Sequence, residues 1–139
     1  QAVLEVIDID RENNTYFVAS GFGRKSHWYQ NIVAHPSVTI QVGPRRLLVT
    51  ADPLPPKPSG QALVDYAQRN PRAAKALMGL IGISSDGSED SYRTIGEELI
   101  PVVAFRRQQA LAPVSRLPGW LLLVIGLGLV WWLTGRKNG

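Results

Sequence analysis

Cysteine is absent from the 139 residues. That excludes disulfides, zinc–thiolate sites, iron–sulfur clusters and cysteine nucleophiles. Histidine is almost as scarce: the two copies, His27 and His35, have no further ligand-type residues to complete a metal site, so none is expected. Charge is thin as well, at 19% of residues against 45% hydrophobic, which describes a globular chain and excludes a disordered one. No internal repeat is visible, and no catalytic acid–base pair stands out. The net charge of +4 is a mild basic bias that suits an anionic cofactor or a membrane surface as well as nucleic acid. The first residue is Gln1, and the chain opens directly in an alternating pattern, so a missing upstream part is expected.

The length allows one domain with a modest core. With 13 Gly and 10 Pro, turns are frequent. Val3–Ile9 alternates as a strand, Asp10–Asn14 is turn chemistry, and Thr15–Ala19 reads as the hairpin partner. Gly21 and Gly23 break that strand. Ser26 reads as the N-cap of a short helix, His27–Ala34, which His35-Pro36 stops because a residue before proline is pushed out of helical geometry. Val38–Val42 and Arg45–Ala51 read as strands around a Gly43-Pro44 turn. Asp52–Gly60 reads as a stiff proline-rich connector. Helices follow over Gln61–Gln68 and Pro71–Leu80, then a loop over Ser84–Asp90, a weak helix over Tyr92–Leu99 and a strand over Ile100–Phe105. Strand pairs first, helices after and one closing strand argue for α+β with a small barrel, against a doubly wound parallel sheet.

The C-terminus differs from the rest. Leu117–Leu133 is uncharged, about 25 Å long as a helix and at the short end of accepted membrane spans. Trp120 near one end, with Trp131 and Trp132 near the other, fits an aromatic belt at both interfaces. A membrane helix over residues 117–134 is therefore expected, after a linker over 108–116 and before a basic tail over 135–139; a buried core helix is the alternative. Arg106, Arg107 and Arg116 against Arg136 and Lys137 place the domain on the cytoplasmic side of a single-pass membrane protein.

The densest chemistry lies in residues 18–38, VASGFGRKSHWYQNIVAHPSV. Gly21, Gly23 and Ser26 follow a strand and open a helix, but the third glycine of a dinucleotide fingerprint is missing, as is its acidic residue. A Walker-type phosphate loop fails too, since Arg24 stands where Gly should precede Lys25. Helix N-terminal N–H groups, close backbone approach at Gly and two cations, Arg24 and Lys25, still make an anion site conceivable; a solvated surface loop is the plain reading. Trp28, Tyr29, Ile32 and Val33 form a mixed helix face that can serve as core anchors. Asn31 is harder to dismiss, because a helical amide is usually placed for a hydrogen bond.

The segments YFVASGFG, HWYQNIVAHPSVTIQVGPRRLLVTADPL and ELIPVVAFR resemble the deazaflavin-dependent nitroreductase family, in its variants of unknown substrate. The matching core is Trp28-Tyr29-Gln30-Asn31-Ile32-Val33-Ala34-His35-Pro36, within a similarity over about residues 3 to 107. The resemblance implies a split β-barrel, flavin-reductase-like fold; the C-terminal transmembrane helix expected from the apolar run lies outside the similar stretch. It implies binding of coenzyme F-420, an 8-hydroxy-5-deazaflavin, with FMN as alternative. The ring would lie along Ala19, Ser20, Gly21 and Gly23 and beside Trp28; Arg24 and Lys25 would face the anionic tail; Ser26, Tyr29 and Asn31 complete the expected cofactor set. The family's earlier Gly-Arg-Lys-Ser-Gly loop has no counterpart here, so the N-terminal part looks missing. The activity implied is a hydride transfer to a hydrophobic acceptor, such as a quinone or a nitro compound, and the expected apolar tail would anchor it to the membrane. The alternative is a non-catalytic flavin-, haem- or lipid-binding split-barrel module. Tyr29, Tyr66 and Tyr92 are the only plausible proton donors. Nucleic acid is not an expected partner, and a homodimer is left open.

Overall fold

The computed structural model describes residues 2–108 and 121–125. Strands β1 (Ala2–Asp10) and β2 (Thr15–Ala19) form an antiparallel hairpin. Helix α1 (His27–Ala34) leads to a second hairpin, β3 (Ser37–Val42) and β4 (Arg45–Pro53). Helices α2 (Pro56–Arg69), α3 (Pro71–Ile81) and α4 (Glu89–Glu98) follow, and β5 (Val102–Arg107) returns between the hairpins, antiparallel to both β2 and β4.

The expected split β-barrel with a C-terminal transmembrane helix is corrected. The five strands of the domain form an open antiparallel sheet in the order β1-β2-β5-β4-β3, with β1 and β3 as its edges and no pairing between them. Both edges are joined only by β6 (Leu121–Ile125), drawn from the tail and parallel to each, and the ring closes through that segment. A short apolar run suits a buried parallel strand as well as a helix, and periodicity cannot separate the two. Two edges with unpaired backbone groups decide the matter, because a strand satisfies both.

No helix among the described residues is long and apolar enough to cross a membrane. This overturns the expected transmembrane helix and the single-pass membrane localisation with its sidedness. The remaining residues of that run, 117–120 and 126–134, lie outside the described residues, as do linker residues 109–116 and the basic tail 135–139.

Two cores follow from strand alternation. Leu4, Val6, Val18, Val38, Ile40, Val49, Val103 and Phe105 pack on one face of the sheet, where Tyr29 and Ile32 of α1 join them. Ile7, Ala19 and Val102 face the other way, onto Leu63, Val64, Tyr66, Met78, Tyr92 and Ile95 of the three helices. β5 serves both, which is why Val102–Phe105 is buried throughout.

The helical layer is tied to the sheet at one crossing. A Cβ on Gly96 would lie 2.8 Å from the Gly60 Cα, so α2 and α4 touch backbone to backbone. Beside them the buried Ser59 hydroxyl donates to the Gly96 carbonyl at 2.7 Å and accepts from the Val102 N–H at 2.9 Å. The proline-rich connector is in fact the start of α2: Pro56 occupies its first turn, where a missing N–H costs nothing. Likewise α4 starts at Glu89, because Ser88 accepts from the Ser91 N–H at 3.1 Å and two acids fill the first turn.

Candidate functional site

β2 delivers the chain to the site at Ala19, which is buried and registers between Glu5 of β1 and Val102 of β5. Ser20 leaves the sheet with its N–H on the Pro101 carbonyl at 2.9 Å. The turn that follows closes on Gly23. Its N–H donates to the Ser20 carbonyl at 2.9 Å, and its own carbonyl accepts from the Ser20 hydroxyl at 2.9 Å and the Ser26 hydroxyl at 3.0 Å. Gly23 has φ +71°, a conformation that L side chains rarely adopt. The loop is thus a fixed object, not a slack connection.

Ser26 stands at the N-cap of α1 as expected, but its hydroxyl is spent on Gly23 and makes no cap hydrogen bond. No acidic side chain occupies the first turn of α1. The partial positive charge of that helix end is therefore left without an acidic side chain of its own first turn. Lys25 is exposed beside it, in no salt bridge among the described residues. Asn31 is exposed, and its amide makes no hydrogen bond among the described residues. Phe22, at the loop tip, is 79% exposed.

The other expected residues are differently employed. Arg24 reaches across to α4, where its guanidinium donates to the carbonyls of Glu98 at 3.3 Å and Glu97 at 3.4 Å. It acts there as a cation on a helix C-terminus. Gly21 is small for a local reason: a Cβ would lie 2.7 Å from Cγ2 of Ile81 in α3. Trp28 is half-buried against the sheet core, edge-on to Tyr29 with ring centroids 6.0 Å apart, while Tyr29 itself is buried. The turn thus brings together Ala19, Ser20, Gly21, Gly23, Arg24, Lys25 and Ser26 with the start of α1, whereas Tyr29 points into the core. Sequence reasoning missed the walls of the loop: Ile81 ends α3, and the Leu99 carbonyl lies 3.2 Å from where a Gly23 Cβ would be. Nothing local in the sequence could have announced contacts that far along the chain.

The three tyrosines weighed as proton donors are all buried. The Tyr66 hydroxyl donates to Glu5 Oε1 at 3.4 Å, and burial together with the Glu5 charge pushes its pKa up. Burial likewise holds the Glu5 carboxyl above its ordinary range, partly opposed by that hydrogen bond. His27 and His35 are exposed, and among the described residues no cluster could hold a metal ion.

The loop lies within the stretch that is similar to known proteins. The family model described as F420H(2)-dependent quinone reductase matches residues 5–76, which include β2, the loop and α1. An F420H(2)-dependent quinone reductase of Mycobacterium tuberculosis (strain ATCC 25618 / H37Rv) is 30% identical over 101 residues, covering 70% of this chain and 59% of the relative. A putative F420H(2)-dependent quinone reductase of Mycobacterium bovis shows the same identity and coverage. The chain thus spans 59% of the length of these relatives. No solved structure matches it.

Proposed function

The chain belongs to the F420H(2)-dependent quinone reductase family, and we propose that it binds coenzyme F-420 along the β2–α1 loop and passes its hydride to a quinone. The observation that carries the placement is the locked Gly23 turn at a helix start with no acidic residue in its first turn. The available groups fit an aromatic ligand with an anionic tail. Lys25 and the N–H groups opening α1 are free to meet negative charge. Phe22 and the half-buried Trp28 offer apolar surface to a ring, and the Asn31 amide is without a partner among the described residues.

When bound, the deazaflavin supplies the hydride itself. The chain has less to do: orient the ring, exclude water and neutralise the tail. Ser20 and Ser26 fix the loop by holding the Gly23 carbonyl; Lys25 contributes charge; Trp28 anchors the start of α1 to the sheet. This division explains why no acid–base pair is visible. A nitro compound is a second acceptor of the same chemical kind.

The test is hydride transfer from the reduced coenzyme to menadione, followed by the recovery of the oxidised coenzyme's visible absorbance. Turnover that depends on the chain is expected. Absence of turnover despite tight coenzyme binding refutes the reductase and leaves the second reading: a non-catalytic module holding a flavin, a haem or a lipid. One observation favours that reading, namely that Arg24 is already engaged on α4.

A further inference from the structure

We propose that Glu5 supplies the proton that a quinone needs, besides hydride, to become a hydroquinone. This rests on the quinone-reductase reading above and names a residue for one of its steps. Glu5 lies on β1 directly opposite Ala19, the last residue of β2 before the loop. Residues so paired share a face, with Cβ atoms about 4.5 to 5.5 Å apart. Leu4 and Val6 on either side of Glu5 turn into the first core, so Glu5 turns toward the helical layer. There the Tyr66 hydroxyl of α2 donates to its Oε1 at 3.4 Å. A carboxyl therefore stands beside the point where the loop leaves the sheet.

Packing alone does not ask for a carboxyl at this place. Glu5 is half-buried and makes no salt bridge among the described residues. The cation one turn along α2, Arg69, is spent on Asp8 at 3.6 Å and on the Ile7 carbonyl at 3.1 Å. The residues paired with Glu5 on either side, Ala19 of β2 and Ile125 of β6, carry no charge. Tyr66 is the titratable group that acts on it, and burial outweighs that contact and holds the carboxyl above its ordinary range. Burying a charge without a cation costs stability. A glutamine would accept from Tyr66 as well, without that cost. What a carboxyl adds is a proton, kept to higher pH than on an exposed carboxylate, that it can give up.

The reaction has one proton to find. A quinone takes up two electrons and two protons to become a hydroquinone, and hydride brings both electrons with one proton. Hydride forms an O–H bond at one quinone oxygen, the ring becomes aromatic, and the negative charge settles on the other oxygen. The Glu5 O–H bond then breaks and its proton bonds to that oxygen. The electron pair stays on the carboxylate, which recovers a proton from water. The second hydrogen of the reduced coenzyme leaves to water as a proton, so the count closes. One acid suffices, and no acid–base pair is required.

The experiment uses the full chain, the reduced coenzyme and two acceptors: menadione, and N-methylacridinium, a cation that becomes neutral on taking hydride and needs no proton. Glu5→Gln keeps an acceptor for Tyr66. It should lower kcat for menadione about a hundredfold, the low end for a lost general acid, with KM and coenzyme Kd little changed, and should affect N-methylacridinium far less. Parent turnover of menadione should fall as pH rises through the Glu5 pKa, since the donor must be protonated, and Glu5→Gln should lose that limb. Equal losses on both acceptors, or a pH profile that Glu5→Gln leaves intact, overturn the proposal. A readout without turnover is the carboxyl carbon resonance of Glu5, assigned by its disappearance in Glu5→Gln. It should titrate above the ordinary carboxylate range and shift when the oxidised coenzyme saturates the chain; a resonance that saturation leaves unmoved overturns the placement. A parent that turns over no quinone refutes the reductase reading itself, whereas menadione turnover undiminished in Glu5→Gln refutes the proton donor alone.

Discussion

Arg24 and Lys25 are neighbours of equal charge, and the structure gives them different work. The Arg24 guanidinium sits on the last carbonyls of α4 at 3.3 and 3.4 Å, long contacts in an exposed place. A cation so placed is worth about 0.3 to 1 kcal/mol, so Arg24→Ala should lower stability by about 0.5 kcal/mol and affect coenzyme binding little. Lys25 makes no salt bridge among the described residues, so Lys25→Ala should leave stability within about 0.5 kcal/mol of the parent. Its loss should instead be felt on coenzyme binding: one hydrogen bond to a charged group is worth about 1.5 to 3 kcal/mol, or roughly a 10- to 150-fold rise in Kd. The assay is a fluorescence titration of the coenzyme at low and high salt, paired with urea denaturation of each variant. Parent affinity should fall with salt, and that dependence should flatten in Lys25→Ala. If Arg24→Ala loses as much affinity as Lys25→Ala while keeping full stability, the division of labour is wrong and Arg24 belongs to the tail site.

Three other outcomes follow from named contacts. Gly96→Ala would place a Cβ 2.8 Å from the Gly60 Cα and 2.9 Å from the Ser59 carbonyl oxygen; overpacking of about 1 to 3 kcal/mol should outweigh a helix-propensity gain of up to about 1 kcal/mol, and a urea midpoint at or above the parent's contradicts the tight crossing. Glu5→Gln removes a carboxyl that burial holds above its ordinary range while keeping an acceptor for Tyr66. The folded protein binds that proton more tightly than the unfolded chain, so the parent loses stability as pH rises from the ordinary carboxylate value of about 4.3 through the raised one; the melting-temperature advantage of the variant should grow from about pH 4 to about pH 7, and a constant difference excludes the linkage. Gly21→Val should destabilise because it meets Ile81 at 2.7 Å, and adding Ile81→Ala should restore stability; coenzyme affinity that returns along with it shows that no ring passes at Gly21.

Much of this fold is written in local chemistry. α1 has the bounds its flanks demand, Ser26 before it and His35-Pro36 after it. The alternation of β1 sorts Leu4 and Val6 from Ile7 into separate cores, although a bulge between Val6 and Asp8 interrupts its pairing with β2. What escaped reading is decided by distant partners. Pro56 looked like a linker residue because nothing nearby reveals that Ser59 and Gly60 must pack on Gly96. Leu121–Ile125 looked like part of a membrane helix because its apolarity is equally suited to a strand, and the two sheet edges that claim it lie far earlier in the chain. Arg24 looked like a pure anion ligand because the α4 carbonyls it meets are 73 and 74 residues away. Composition of the loop was legible; what holds the loop was not.

The central claim is that the β2–α1 loop holds the deazaflavin, and amide hydrogen exchange with and without the oxidised coenzyme tests it most directly. The N–H groups of Phe22, Arg24 and Lys25, and those opening α1 at His27, Trp28 and Tyr29, make no backbone hydrogen bond among the described residues. They should gain protection when the coenzyme binds, while the far face of α2 stays unchanged. Saturating coenzyme that leaves residues 20–29 exchanging at their free rate, with protection gained elsewhere, would contradict the account.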